Sequence, residues 1–581
     1  MKHFIILLIF FVAGCANSHK IVDANPSLDI TDTEHMSNVY QSRRWQPTAL
    51  LETSRIDDAI VAHSPIQPAL INVFGPSHEE AVSSIATKIW LIDNAEYTID
   101  ATHYIFTQDM MGLAMLGALC NAVQRGVDVR FMVDSIGSFS VTHKEIKGLI
   151  ECAKKAREFG DSGKKARVQA VVFNAVSKPF TRVNRRSHDK LLIVDGRFPS
   201  QSWVMTGGRN VSLDYFGLNV DGSKNYDTYQ DLEILVRPQS HVVSNDDNIG
   251  YLAEEYFTHL FSHDGNKLLK QWFPRPLQRR KAQEALESLK SMPKFQEHYN
   301  KVPSNLHDNP LKSDVKLAHE LYNLKSFSVV SRRMEILDKN PNSIVAILED
   351  ITLNNKNAKH LKIISPYAFL ATYNEPGHAH YYDGRQALEE WLAADPERTV
   401  EVVSNSVLTS DNFLTQAIID IESVPRALLS EEQLRAWQRH ESKEQLLNDT
   451  DWLEATSNPR LRIYQLGKED SVDLGGDQHY GKLHAKAIIV DDLGFVGTTN
   501  LDYRSRLFNN EVGYFYESAE VSDALIDIFE SLKSNSYLWG SKEWLEMRED
   551  VIQGSILKGI TTSEQRSIYQ SLRYSGLKWQ M

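Results

Sequence analysis

The sequence predicts an α/β protein built from two similar α/β sandwich halves, packed face to face around one shared active site. Three observations carry that expectation. A strand–helix–strand order occurs twice, each copy leads to a His-x-Lys-x4-Asp segment, and a Gly-x-x-Asn tetrapeptide follows each segment.

In the first copy, residues 78–93 have apolar positions at helical spacing, and 97–102 read as a strand. An apolar helix is predicted over 110–124 and a strand over 129–133, with Gly126 between them. In the second copy, 361–365 are strand-like, 387–394 helical and 399–403 strand-like again. Strand, helix and strand at this spacing make a βαβ unit. Two copies are too few for a solenoid, so two packed halves is the reading. The expected organisation is a signal peptide over 1–14, a polar tether and lead-in over 15–68, and a first half over 69–264. A charged helical insertion over 265–342, a second half over 343–537 and a C-terminal tail over 538–581 complete it. For the insertion two readings are open: a linker or lid, and a solvated pair of helices.

The chain has 581 residues, 42% hydrophobic and 24% charged, as in an ordinary globular protein. A formal charge of −13 and a pI near 5.9 argue against a general nucleic-acid binder. Lys2 precedes an apolar run from Phe4 to Ala13 that stops at Gly14-Cys15, too short to span a bilayer, which reads as a signal peptide. Val12-Ala13-Gly14-Cys15 looks like a bacterial lipobox, in which Cys15 becomes the lipidated first residue. Ala16, where an Asp would resemble an inner-membrane retention signal, favours the outer membrane. The expected location is therefore the cell envelope of a bacterium, lipid-anchored on a periplasmic face. Cys120 and Cys152 remain; an oxidising compartment permits a disulfide, but the apolar helix around Cys120 makes a core thiol the preferred reading.

The chemistry lies in Ser187-His188-Asp189-Lys190 running to Asp195, and in Leu483-His484-Ala485-Lys486 running to Asp491. Side chains two apart on a strand share a face, so His188 emerges with Lys190 and His484 with Lys486. One such match is weak; two at equivalent places in a duplicated unit are not. Gly207-Gly208-Arg209-Asn210 and Gly497-Thr498-Thr499-Asn500 follow. Glycine allows close backbone approach to a ligand, and the Asn210 and Asn500 amides can donate to a phosphate oxygen. A negatively charged phosphodiester needs positive groups before a nucleophile can approach, and Lys190 and Lys486 would supply them.

These paired motifs resemble the phospholipase D superfamily. Arg182-Val183-Asn184-Arg185-Arg186-Ser187-His188, Thr206 to Asn210, Asp214-Tyr215-Phe216-Gly217 and Asn500-Leu501-Asp502-Tyr503-Arg504-Ser505 are most similar to bacterial cardiolipin synthases of the C type. The resemblance covers roughly residues 75–535. It implies phosphatidyl transfer or hydrolysis on glycerophospholipids through a phosphohistidine intermediate, with a nuclease of the same superfamily as the alternative. No cofactor or metal is expected, and the partners are glycerophospholipids and a membrane surface. By analogy His188 is the nucleophile and His484 the acid/base. An acceptor must orient each ring's other nitrogen; the resemblance assigns Glu233 to His188 and Glu511 to His484. Asp195 and Asp491, counted with the catalytic motif, are expected to brace its loop more than to touch substrate. The basic run Arg182, Arg185 and Arg186 has two open readings, an attractor of anionic head groups and a solvated loop.

Overall fold

The computed structural model describes residues 64–581 apart from 141–142, 155, 157–164, 180, 199, 240–247, 309, 325–339, 374–380 and 440–441. The lipobox, Cys15 and nearly all of the tether lie outside the described residues.

Sixteen strands form one sheet whose order reads the same from either end. From the first half's edge the strands are Lys267–Leu268, Val168–Phe173, Asp128–Asp134, Thr98–His103, Lys190–Val194, Trp203–Gly207, Glu233–Pro238 and Gln67–Phe74. They continue through Leu311–His319, Val512–Glu517, Leu493–Gly497, Ala487–Val490, His360–Ile364, Thr399–Asn405, Leu461–Leu466 and Ser536–Leu538. Gln67–Phe74 and Leu311–His319 meet antiparallel at the centre, with Ala69 opposite Ser313. Each half therefore contributes eight strands to a palindromic order, the product expected of duplication. Each has three parallel strands, Thr98–His103 to Val168–Phe173 and His360–Ile364 to Leu461–Leu466.

The βαβ units stand where periodicity placed them, with helices His78–Asn94, Met110–Arg125 and Gly384–Ala394. Gly126 closes the Met110–Arg125 helix at φ 118°, where a Cβ would be strained. A core shared by both halves includes Leu191, Ile193, Phe257 and Leu260 from the first and Ala487, Ile489, Leu525 and Phe529 from the second. Alternate residues of each motif strand thus point into the interface between the halves, as face-to-face packing requires.

Three expectations are corrected. The insertion is helical only through Asp308, as Pro276–Ser291 and Pro293–Asp308; Leu311–His319 is the second half's central strand. The helix pair is not a lid: Ala282, Leu286, Leu289, Phe295 and Val302 are buried in the first half's core, while the charged face with Arg280, Glu284 and Lys301 is exposed, as the solvated-pair reading expects. The C-terminal tail belongs to the second half, since Trp539, Trp544, Tyr569 and Leu572 fill its core and Arg548 pairs with buried Asp420 at 2.9 Å. Finally, Cys120 and Cys152 form a disulfide. The core-thiol reading was right about burial but wrong about partnership. The Met110–Arg125 and Lys144–Lys154 helices bring the two Cα atoms to 5.5 Å, within bridging range.

Candidate active site

His188 and His484 sit where the motif strands begin, beyond the carboxyl ends of the parallel strands. Lys190 pairs with His103 in register, so His188 lies past the end of Thr98–His103; Ala487 opposite Ile364 does the same for His484. Two short ladders tie these segments across the halves. Arg186–Ser187 pairs with Asn509–Asn510, and Lys482–Leu483 with Tyr229–Gln230. The His188 amide donates to the Asn510 carbonyl, and the His484 amide to that of Gln230.

This exchange decides the orienting carboxylates. His188 Nδ1 lies 2.9 Å from Glu511 Oε2, and His484 Nδ1 lies 2.7 Å from Asp231 Oδ2. Each histidine is held by an acid from the opposite half. The assignment of Glu511 to His484 and Glu233 to His188 is therefore corrected twice. Glu511 serves His188, and Asp231, not Glu233, serves His484. Glu233 instead faces Lys88, which donates to both of its oxygens at 2.6 Å, and Ser84. Asp231 and Glu233 point to one face of the extended chain, so alternation could not separate them. The signal that could have done so is the amide–acid pair Gln230-Asp231, which repeats as Asn510-Glu511.

Lys190 and Lys486 are buried in the same site, each donating to the carbonyl of its own histidine. Burial, with the charge of Lys486 added, holds the Lys190 ammonium below its ordinary pKa. Burial brings Lys486 down to about 8 and Asp231 up to about 6, and it raises Glu511 as well. Both imidazoles are pushed well below the usual histidine value, by burial first and the two lysines next. The site thus favours neutral rings facing two desolvated cations, a receptor for an anion. With Nδ1 engaged, Nε2 is the nitrogen left on each ring for chemistry. Aromatic rings wall them: Tyr104 lies 4.9 Å from His188, and Tyr215 and Tyr229 lie 5.4 and 5.3 Å from His484. Tyr215 belongs to the Asp214-Tyr215-Phe216-Gly217 passage that carries the resemblance, whereas Tyr104 and Tyr229 had no signal in the sequence, because a lone Tyr near a motif carries no spacing signal.

Asn210 accepts from the Ile105 amide and donates to the Tyr215 hydroxyl at 2.9 Å; Asn500 donates to Asp502 at 3.0 Å. Each amide retains a second N–H. Asp195 and Asp491 stand at the far ends of the motif strands, away from the reacting nitrogens. Asp195 accepts from the backbone of Glu96, Tyr97 and Thr98, and Asp491 from that of Lys359 and His360. Through these hydrogen bonds they brace the strand ends. The glycines admit protein and not ligand: a Cβ at Gly208 would collide with Asp231 and come within 2.8 Å of the His484 carbonyl. Two members of the basic run, Arg185 and Arg186, are likewise neither solvated nor an open attractor, whereas Arg182 is only half-buried. Arg186 is buried against Asp134 at 2.9 Å, and Arg185 is buried over the Phe508 ring, donating to the Leu507 carbonyl of the other half.

Comparison with known proteins agrees with this construction. The family described as "Cardiolipin synthase, PLD-like domain" matches residues 89–227 and 414–533, one stretch around each histidine. Cardiolipin synthase C of Escherichia coli K12 is 30% identical over 149 residues, 24% of this chain and 28% of that one. Cardiolipin synthase of Geobacillus kaustophilus is 26% identical over 182 residues, 31% of each chain. The matches thus span about a third of those relatives' length. The crystal structure of phosphatidylserine synthase from Haemophilus influenzae Rd KW20 superposes over 90% of this chain and 98% of its own, with TM-score 0.51 at 13% identity, a likeness of fold. With a matched domain in each half and the two motifs joined in one site, the chain is similar to the phospholipase D superfamily and, within it, to cardiolipin synthases.

Proposed function

We propose that this chain is a phosphatidyltransferase or phospholipase D acting on glycerophospholipids, cardiolipin synthase-like in its chemistry. One observation carries the reading: two histidines, each oriented through Nδ1 by a carboxylate of the opposite half, flank two buried lysines. His188 Nε2 attacks phosphorus while Nε2–H of a protonated His484 gives its proton to the departing alcohol oxygen. The P–O bond breaks as the P–N bond forms. His484, now neutral, takes the proton of the incoming alcohol or water, whose oxygen displaces His188. Lys190 and Lys486 hold the non-bridging oxygens throughout. Phosphatidylglycerol as donor and acceptor would give cardiolipin and glycerol; water as acceptor would give phosphatidic acid. The chain's charge of −13 lends the nuclease alternative no support.

The test is product analysis with the purified chain and phosphatidylglycerol vesicles, with and without EDTA. Cardiolipin with stoichiometric glycerol is the expected result, unaffected by the chelator because Lys190 and Lys486 supply the positive charge. Phosphatidic acid alone would select the hydrolase, and no turnover of any glycerophospholipid would overturn the reading.

The proposed site of action is a periplasmic membrane face of a bacterial envelope, with the chain anchored through acylated Cys15. The lipobox supports export, and so does the Cys120–Cys152 disulfide, which suits an oxidising compartment. Two or more acyl chains are needed for firm anchoring. Cys15→Ser should abolish palmitate labelling and release the protein from membranes; an unlabelled wild type would refute the anchor.

A further inference from the structure

We infer that the mouth of the catalytic cleft is itself a membrane-docking surface, fitted to a bilayer containing anionic phospholipid. The inference rests on the proposed lipid substrate but not on the Cys15 anchor.

The loops that follow the parallel strands form the rim around His188 and His484, and in both halves they expose apolar side chains. After Asp128–Asp134 come Ile136 and Phe139, 43% and 70% exposed; after Val168–Phe173 come Val176 and Val183, 47% and 52% exposed. The equivalent loop of the second half, after Thr399–Asn405, presents Phe413 at 51% exposure. That loop also holds Asp411, which accepts from Tyr229 beside His484 and from Tyr367, so it borders the site directly.

The second-half rim is extended by the C-terminal region. The Ile556–Ser563 helix packs on Phe413–Ile418, and its Lys558 donates to the Leu408 carbonyl and pairs with Asp473. That leaves Ile556, Leu557 and Ile560 pointing outward at 87%, 76% and 60% exposure. Single exposed apolar residues are common, but their concentration at equivalent strand ends of both halves marks an interaction surface.

Charge identifies the occupant. Although the chain as a whole is acidic, Lys144, Lys147, Lys178, Arg182 and Lys267 stand on the first-half rim, against Glu145 and Asp264. Burial first, and then the nearby charges of Arg275 and Lys267, hold the Lys147 ammonium below its ordinary value. Exposed apolar side chains interleaved with basic ones suit the boundary of an anionic leaflet. Docked this way, the cleft opens onto head groups, and a lipid phosphate reaches the two histidines without leaving the bilayer plane.

The test uses the full chain carrying Cys15→Ser, which removes the proposed acylation site. Sedimentation with phosphatidylethanolamine–phosphatidylglycerol vesicles is compared for this parent and for the parent with Phe139→Ser, Phe413→Ser and Leu557→Ser. Vesicle binding and turnover of vesicle substrate should each fall at least tenfold. Turnover of dihexanoyl-phosphatidylglycerol, presented as monomers, should stay within twofold and shows that the variant is folded. Lys144→Glu with Lys267→Glu should weaken binding to these vesicles severalfold and leave binding to phosphatidylcholine vesicles unchanged. Parental binding by the triple variant would overturn the proposal. If the parent turns over no lipid in either form, the functional reading fails, while vesicle binding still decides the surface.

Discussion

The two half-sites repeat one design, yet their histidines meet different neighbours. His188 Nδ1 faces two acceptors, Glu511 Oε2 at 2.9 Å and the Thr498 carbonyl at 3.1 Å. Only Nδ1–H satisfies both, which leaves the neutral ring with its lone pair on Nε2, the form a nucleophile needs. Glu511 is itself fixed by Thr498 and Ser505 hydroxyls at 2.6 and 2.7 Å. His484 Nδ1 instead lies between an acceptor, Asp231 at 2.7 Å, and a donor, Lys486 at 3.0 Å. Its tautomer is less strictly imposed, as suits a ring that must take and give a proton within each turnover. The difference between the halves thus supports His188 as the nucleophile and His484 as the acid/base.

The sharpest way to break this comparison is to remove each ring. His188→Ala and His484→Ala should each lower kcat by about 10⁴-fold or more, because both act in one reaction path. They should differ in what accumulates. With a substrate whose leaving group needs no proton, His484→Ala should retain a burst and trap a phosphohistidine, whereas His188→Ala should show neither. Mass spectrometry of the quenched protein checks this, and an adduct on His484 would reverse the roles.

Next come the acids. Glu511→Gln and Asp231→Asn should each reduce kcat by about 10–100-fold, the usual cost of losing an orienting partner. Glu233→Gln should do something else. Lys88 is buried with Glu233 as its ion partner, so breaking the pair should destabilise the first half by about 3–5 kcal/mol while kcat in the folded protein changes little. Parallel turnover and thermal melting separate the cases; a kcat loss for Glu233→Gln matching that for Asp231→Asn would restore Glu233 to the site.

How far these roles were legible in the sequence follows from the same residues. The duplication, the paired elements and the four His and Lys side chains were readable because each is a local pattern with a fixed period. The exchange of Glu511 and Asp231 was not, since it arises only when Arg186–Ser187 and Asn509–Asn510 pair across the halves. The disulfide escaped for the same reason: helix packing, not spacing, brings Cys120 to Cys152. The C-terminal helices read as a tail because their tryptophans, Trp539 and Trp544, are buried against Trp437 and Trp452 far back in the chain.

A pH profile gives a smaller effect and tests the electrostatics. Asp231 must be ionised to hold His484, and its carboxyl titrates near 6, so kcat/KM should fall as pH drops through that value. Lys190 and Lys486 must both be charged to hold phosphate, and burial brings them down to about 7 and about 8, so kcat/KM should fall again as pH rises through that range. A bound phosphodiester anion favours the ammonium, so the alkaline limb of kcat should lie above that of kcat/KM. Asp231→Asn should flatten the acid limb, and an unchanged limb would place the titration elsewhere.

The smallest effect on activity, and a separate one on stability, concerns how each half is closed. The first half clamps Met110–Arg125 to Lys144–Lys154 by the disulfide, whereas the second closes with the tryptophan cluster and the C-terminal helices. Cys120 lies on the helix covering the sheet, with its side chain in the outer core of the first half and not in the core shared between the halves. Cys120→Ser with Cys152→Ser should therefore leave kcat within about twofold. Releasing a loop with a sequence separation of 32 costs about 3–4 kcal/mol on the chain-entropy argument. The loss should appear as earlier unfolding of the first half, followed by hydrogen exchange at Met110–Arg125, while the helices of the second half keep their protection. Equal loss of protection in both halves would mean that the continuous sheet unfolds as one cooperative unit, and the division of labour between the two closures would have to be abandoned.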